Sequence, residues 1–387
     1  MPPFQAMSPA STPGCSTPLS FVEMSISLAI FITTYYVYSA FKCNLGLILD
    51  MGRQMKAMVL EKCSEIEEYP LKLKNVKIPE PGNNEVRVKV KACGICRTDL
   101  HTIEGDLGNP DLPIILGHQI VGIVDKTGKG VKTFREGDRI GIAWLYHTCG
   151  NCVFCRAGQE NLCENSLFTG YHKNGGYAEY AVVPEGYAYK IPEMFKDEEA
   201  TPLLCGGIIG YRCLKRAGVR PGQSLLLNGF GSSAHIVIQI AKYWNCKVFV
   251  VSRNPNHQNL ARSFGAFWVG EKTSDVPENV DAAIIFAPAG NLVPQVLEKL
   301  RKGGTVALAG IYMSDIPEMS YEKHLFYEKN IHSVTSNTRQ DGEELLEIAT
   351  KIPIKPQTNI YSLEKANEAL QDLKHDKVEG TAVLVPG

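Results

Sequence analysis

The chain has 387 residues, 44% apolar and 21% charged, a globular composition that excludes a disordered chain. At roughly 100–200 residues per domain, this length calls for two domains. Acids (41) and bases (40) nearly cancel to a net charge of −1. With no basic excess to hold a phosphate backbone, no nucleic-acid partner is expected.

Residues 1–54 differ from the rest. They carry four charged side chains, Glu23, Lys42, Asp50 and Arg53, against 77 in the remainder. Residues 1–20 are rich in Pro, Ser and Thr, the composition of a disordered segment. Residues 24–41 form an uncharged run of 18, at the low edge of what crosses a bilayer as a helix. Three readings compete. A signal peptide needs a basic start, and no Lys or Arg precedes Lys42. A membrane anchor is diluted by Ser25, Ser27, Thr33, Thr34 and Ser39. The third reading places the true start at Met51 or Met55, where the composition changes. It is the favoured one: residues 55–387 are expected in the cytoplasm without membrane contact, and a form tethered through residues 24–41 is the alternative.

From residue 56 to 96, short segments alternate apolar and polar residues, as in Val86-Arg87-Val88-Lys89-Val90. They are broken by Pro79, Pro81 and Gly82, the pattern of half-buried strands. Similar segments continue to Ile191 and predict an all-β body with loops. The texture then changes. Residues 198–218 are expected as helix, Ser224–Asn228 as an apolar strand and 232–244 as helix. Lys247–Val251 is another strand and 259–264 another helix. Residues 282–286 and 304–309 are buried-strand candidates, with a helix over 292–301 between them. Alternation of this kind predicts a parallel sheet with right-handed crossovers. A helix is expected over 342–351, followed by a strand-like tail in which residues 382–385 rejoin the first body. No internal repeat is evident.

Twelve cysteines are many for a reducing compartment, and their spacing points to metal rather than disulfides. Cys149, Cys152, Cys155 and Cys163 stand as C-x2-C-x2-C-x7-C, with Gly150 and Gly158 allowing sharp turns. Four thiolates so close can enclose Zn²⁺ tetrahedrally, leaving no open position, so the role is structural. Free thiols, disulfides and an iron–sulfur cluster are the alternatives; zinc fits the rest of the chain better.

A second set is dispersed. Cys96 lies in Cys93-Gly94-Ile95-Cys96-Arg97-Thr98-Asp99-Leu100-His101, His118 in Leu116-Gly117-His118-Gln119, and Cys205 in Leu203-Leu204-Cys205-Gly206-Gly207. Singly, each is more often a packed core residue. Together, two thiolates and an imidazole leave zinc a fourth position for water or substrate. Further on, Gly229-Phe230-Gly231-Ser232-Ser233-Ala234 follows an apolar strand and opens a helix. This is the G-x-G-x-x-A form of the dinucleotide fingerprint, which brings backbone N–H groups to a pyrophosphate. The fingerprint expects an acid roughly 20 residues on, at the end of the second strand. Here Val251 is followed by Ser252 and Arg253, with no carboxylate. A hydroxyl and a cation suit a 2′-phosphate and favour NADP(H). The alternative is a solvated Arg253 stacked on adenine, with NAD(H) still used.

Taken in order, these motifs resemble the zinc-dependent alcohol dehydrogenases of the medium-chain dehydrogenase/reductase superfamily, from about Met55 to Gly387. Within it they are most similar to the microbial ethanol-type branch, through Ala143-Trp144-Leu145 and Asn174-Gly175-Gly176-Tyr177-Ala178-Glu179-Tyr180. The resemblance implies an α/β chain in two parts. A GroES-like β-rich catalytic domain comprises residues 55–205 and 340–387. A Rossmann doubly wound parallel sheet occupies 206–339, with the active site in the cleft. It implies two zinc ions per subunit, an alcohol or aldehyde substrate, and a homodimer or homotetramer. It assigns Cys96, His118 and Cys205 as catalytic zinc ligands and Asp99 as the carboxylate that orients the ligand histidine. Thr98 is the hydroxyl that bonds the alcohol, and His101 the end of the proton relay. Trp144 is a wall of a narrow pocket. Arg97 and Arg339 contact the cofactor pyrophosphate. The chain departs at Gln119, where relatives often have a Glu able to approach zinc during ligand exchange, and at Ile209, where many have Thr. The implied reaction is reversible hydride transfer between a small primary alcohol and NAD(P). Rival readings are a polyol or cinnamyl-type alcohol dehydrogenase and a non-catalytic zinc- and nucleotide-binding sensor.

Overall fold

The computed structural model describes residues 53–108, 110–352 and 354–387. The run at 24–41 lies outside them. Among the described residues, no helix is long and apolar enough to cross a membrane.

Alternation works as expected in the strand Glu85–Gly94. Val86, Val88, Val90 and Ala92 are buried, while Lys89 and Lys91 face water. This strand is central to a mostly antiparallel sheet ordered Ala188–Lys190, Arg139–Ile142, Gln119–Thr127, Glu85–Gly94, Thr381–Val385, Thr358–Ser362; Tyr180–Pro184 also pairs with Glu85–Gly94. The tail rejoins the first body as expected, with Val383 opposite Gly94 and Leu384 opposite Cys93. Its apolar side chains close one core together with Leu60, Ile66, Ile120 and Tyr177.

The second sheet is parallel throughout. Its order is Trp268–Gly270, Lys247–Val251, Ser224–Asn228, Val280–Ile285, Leu300–Leu308, Asn330–Ser333. This is the 3-2-1-4-5-6 order of a dinucleotide-binding fold, whose direction reverses beside the first strand. All five residues of Ser224–Asn228 are buried, as a strand covered by helices on both faces requires.

Four local expectations need correction. The first body is not all-β. Its alternation stops at Cys96, whose side chain caps the helix Arg97–Glu104, and a single helical turn, Val153–Arg156, lies in the cysteine loop. The helix expected over 198–218 is broken at Cys205 into Thr201–Leu204 and Gly206–Arg216. The helix expected over 259–264 begins at Pro255, because Asn254 caps it and proline suits the first helical position. The tail also holds a helix, Ala366–Lys374, which buries Ala369 and Leu370 against the first core.

Candidate active site and metal centres

Cys96 lies where the central strand Glu85–Gly94 gives way to the helix Arg97–Glu104. It is the N-cap residue, and its Sγ accepts from the Thr98 N–H at 3.5 Å. Asp99, in the first turn, closes the box by accepting the Cys96 N–H at 2.8 Å. Its other oxygen accepts the Gly117 N–H at 3.2 Å and lies 3.2 Å from His118 Nδ1. That last contact is an ion-pair distance without the alignment of a hydrogen bond. One buried carboxylate therefore fixes the Cys96 backbone and the His118 imidazole, which stand at the ends of separate strands.

Cys205 arrives from the other side, at the break before Gly206–Arg216. A Cβ on Gly206 would stand 2.8 Å from Ser232 Oγ, so this segment lies close against the start of the nucleotide helix and any side chain here would have to turn that hydroxyl aside. Cys96 Sγ and Cys205 Sγ are 3.7 Å apart, and Cys96, His118 and Cys205 offer ligand atoms within 4.8 Å of one another. A tetrahedral zinc site with 2.3 Å bonds places sulfurs about 3.8 Å apart. His118 is fully buried, and its Nε2 has no hydrogen-bond partner among the described residues. An unpartnered buried nitrogen costs free energy unless something binds it, so the donor set fits a zinc ion. Burial alone lowers the His118 pKa, but Asp99 and the Cys96 sulfur outweigh it and raise it to about 10. Its partner Cys205 pulls the Cys96 thiol well down, against the effect of burial. Proton and metal compete for these atoms, since ligation needs thiolate and neutral imidazole.

The other set fits as well. Cys149, Cys152, Cys155 and Cys163 present their sulfurs within 4.8 Å of one another, with Cys149 to Cys163 at 3.5 Å and Cys149 to Cys155 at 4.0 Å. Backbone N–H groups of Cys149, Cys152 and Cys155 each point at a sulfur at 3.4 Å. The N–H groups of Asn151 and Cys152 bring the Cys149 thiol down to about 6. Such a nest of donors stabilises thiolates, as a closed metal site requires.

Trp144 meets His118 edge to face at 4.9 Å and stacks on Phe168 at 4.9 Å, with Tyr171 tilted behind it at 6.1 Å. The Tyr171 hydroxyl donates to Leu107 O at 2.8 Å. Sequence reasoning found Trp144 and missed Phe168 and Tyr171, although aromatic residues crowd 168–172. Thr98 is buried beside Cys96, its Oγ1 3.5 Å from Sγ. His101 is held by Asp106, Nδ1 to Oδ2 at 2.7 Å.

The glycine turn lies where the parallel sheet reverses. Gly229 has φ +93°, and a Cβ there would meet Ala287 N at 2.9 Å. At Gly231 a Cβ would meet nothing within 4 Å, and no side chain caps the helix Ser232–Tyr243. Open space in front of free N–H groups is a cradle for a phosphate. Ala234 is buried in the first turn of the helix. At the end of the second strand, Ser252 is buried and accepts the Asn254 N–H at 3.3 Å; Arg253 is exposed and unpaired among the described residues. Arg97 reaches the same side, bonded to Asp376 at 2.6 Å, while Asn254 Nδ2 donates to Asp376 O at 3.4 Å.

Arg339, expected at the cofactor pyrophosphate, is paired within the chain. Its guanidinium is held by both oxygens of Glu160 at 2.7–3.0 Å and lies over the Tyr187 ring at 4.8 Å. Thr381 also reaches the turn, its Oγ1 meeting Ser232 Oγ at 2.5 Å. No sequence signal marked it. Gln119 is buried against Gly94 with its Oε1 unbonded among the described residues, and Ile209 packs against the core formed by Ile208, Leu225, Val237 and Leu345.

The alcohol dehydrogenase GroES-like domain family matches residues 82–193, and the zinc-binding dehydrogenase family matches residues 234–351. The "Probable alcohol dehydrogenase AdhA" of Mycobacterium tuberculosis is 44% identical over 86% of this chain and 97% of its own. A crystal structure of an NAD-dependent alcohol dehydrogenase superposes with TM-score 0.79 at 27% identity, over 86% of this chain and all of that one (100%). The Helicobacter pylori CAD complexed with NADP(H) gives 0.78 at 25%, over 86% and 98%. The chain belongs to the zinc-containing alcohol dehydrogenases of the medium-chain dehydrogenase/reductase superfamily. It is an NAD(P)-dependent oxidoreductase of alcohols and aldehydes.

Proposed function

We propose that this enzyme interconverts small primary alcohols and aldehydes, with NADP(H) as its preferred cofactor and two zinc ions per subunit. The observation that carries the reading is the meeting of Cys96, His118 and Cys205 around an unpartnered His118 Nε2, directly under Trp144. Those three residues would hold the catalytic zinc, Cys149, Cys152, Cys155 and Cys163 the structural one, and the turn at Gly229, Gly231 and Ala234 the dinucleotide. When bound, zinc supplies Lewis-acid polarisation of the substrate oxygen and the nicotinamide carries the hydride.

The chain's own residues do the rest. Asp99 fixes the His118 ring and the Cys96 backbone, so the ligands are oriented before a substrate enters. Thr98 presents its hydroxyl beside Cys96 and relays the alcohol proton towards His101. Trp144, backed by Phe168, shortens the pocket; this favours ethanol-sized substrates over polyols or cinnamyl-type alcohols. Ser252 and Arg253 would receive the cofactor 2′-phosphate, and with NADPH as donor aldehyde reduction is the working direction. Residues 55–205 and 340–387 are taken as the catalytic domain and 206–339 as the nucleotide domain. We place the enzyme in the cytoplasm, where the cysteines of the described residues, all free of disulfides, stay reduced, and we expect a homodimer or homotetramer.

The test is steady-state ethanol oxidation by the full chain with NADP⁺ and NAD⁺, before and after zinc chelation. Chelator-sensitive turnover favouring NADP⁺ is expected. Turnover favouring NAD⁺ would overturn the cofactor preference alone. A zinc-loaded, folded protein inactive on ethanol and on larger alcohols would point to the non-catalytic sensor.

A further inference from the structure

We propose that Asp106 is a positioning residue for the proton relay: it fixes His101 with a proton on Nδ1 and a free Nε2, and it holds the imidazolium formed when Nε2 takes a proton. This rests on the reading of His101 as the end of the relay.

The geometry begins with a helix end. Arg97–Glu104 stops at Gly105, which is left-handed at φ +83°, and its N–H returns to His101 O. The Asp106 N–H bonds the same carbonyl at 2.9 Å. Backbone and side chain of Asp106 therefore both meet His101, and its Oδ2 lies 2.7 Å from the ring Nδ1. An ionised carboxylate only accepts, so Nδ1 is the donor and Nε2 the free base. Helix stability does not explain the arrangement, because a negative charge is unfavourable at a helix C-terminus. The side chains are 15% exposed for His101 and 35% for Asp106, so the base is sheltered and its partner opens to water. Tyr312, from the loop after Leu300–Leu308, covers the imidazole at 5.4 Å between centroids.

Other charges on elements packed against this helix are occupied. Lys374 bonds Glu65, Glu67 and Glu104 at 2.7–3.0 Å, and Arg97 bonds Asp376. Among the described residues, Asp106 is the charged group bonded to the His101 ring. During alcohol oxidation the substrate proton ends on Nε2. The Nδ1 proton stays between ring and carboxylate, and one proton then leaves His101 for water; no electrons move in this step. Aldehyde reduction runs it backwards.

The experiment is an NMR titration of the full-length protein carrying ¹⁵N-histidine, with the His101 signals assigned by their loss in His101→Gln. The expected result is a single Nδ1–H tautomer in the wild type, lost to a mixture of tautomers in Asp106→Ala, where no carboxylate accepts from Nδ1. In the same variant the pH at which kcat/KM for alcohol oxidation rises should move down. A purely structural role would lower the plateau without moving that midpoint. An unchanged tautomer in Asp106→Ala, or an unmoved midpoint, overturns the proposal. If His101→Gln itself keeps the wild-type pH profile, the relay reading fails, and the Asp106 role in catalysis with it; the NMR comparison would still show whether the pair exists.

Discussion

Glu160 grips Arg339 with both carboxylate oxygens, taking the guanidinium at 2.7–3.0 Å and the Arg339 backbone N–H at 2.7 Å. Glu160 lies in the cysteine loop between Cys155 and Cys163, and Arg339 opens the helix Arg339–Lys351. The guanidinium holds the Glu160 carboxyl below the ordinary range despite its partial burial. Asn161 adds a bond to Thr335 O at 3.0 Å. The metal loop is thereby tied to the segment that returns the chain from one sheet to the other. Hydrogen bonds to charged groups contribute roughly 1.5–3 kcal/mol, discounted here because Arg339 is 42% exposed. Glu160→Ala should cost about 1–2 kcal/mol in denaturant unfolding and speed zinc loss from the cysteine loop, leaving Cys96, His118 and Cys205 loaded. Unchanged metal release would show that the tie is incidental.

The two cysteine sets should separate by metal analysis. Wild-type protein should carry two zinc equivalents per chain. Cys152→Ser should lose one along with thermal stability, because a closed tetrahedral site contributes directly to folding. Cys96→Ser should lose the other, and activity, with a much smaller drop in melting temperature. Equal destabilisation by both variants would contradict the division of roles.

Cofactor choice should turn on the end of the strand Lys247–Val251. Arg253→Ala should lower kcat/KM for NADP⁺ about tenfold, or ~1.4 kcal/mol, with little change for NAD⁺. Ser252→Asp should reverse the preference, because a carboxylate bonds ribose hydroxyls and repels a phosphate. If Arg253→Ala lowers both cofactors equally, the guanidinium serves the adenine instead.

His235 sets an acid limit. It is fully buried in the nucleotide helix, accepting the Gln357 N–H at Nε2 (3.2 Å) with Nδ1 3.4 Å from Gly231 O. Burial lowers its pKa from 6.5 to about 4. The unfolded chain thus binds a proton between these values and the folded protein does not. The contribution is complete above pH 6.5 and is lost as pH falls towards 4, on the order of 3 kcal/mol over that window. Unfolding free energy followed from pH 7 to 4 should show this slope, and His235→Gln should flatten it. A slope that survives the substitution would assign the acid sensitivity to other groups.

Much of the site could be read locally. Four cysteines within fifteen residues can meet around one ion with no help from the rest of the fold, and a glycine turn between an apolar strand and a helix carries its own geometry. The strands Ser224–Asn228 and Lys247–Val251 were legible to the residue, because a fully buried strand is an unbroken apolar run. The dispersed set Cys96, His118 and Cys205 became legible through the order of its motifs, not through any one of them. Helices hidden among strands, such as Arg97–Glu104, were missed, because a side-chain cap at Cys96 overrides the alternating pattern before it. What only the tertiary structure decided is pairing across distance. Glu160 has Arg339, Ser232 has Thr381 and His235 has Gln357. A charged or polar side chain has the same sequence signature whether it awaits a ligand or is already satisfied. Only packing determines which partner reaches it first, and that is why Arg339 is bound by Glu160 while Arg253 is left without a partner among the described residues.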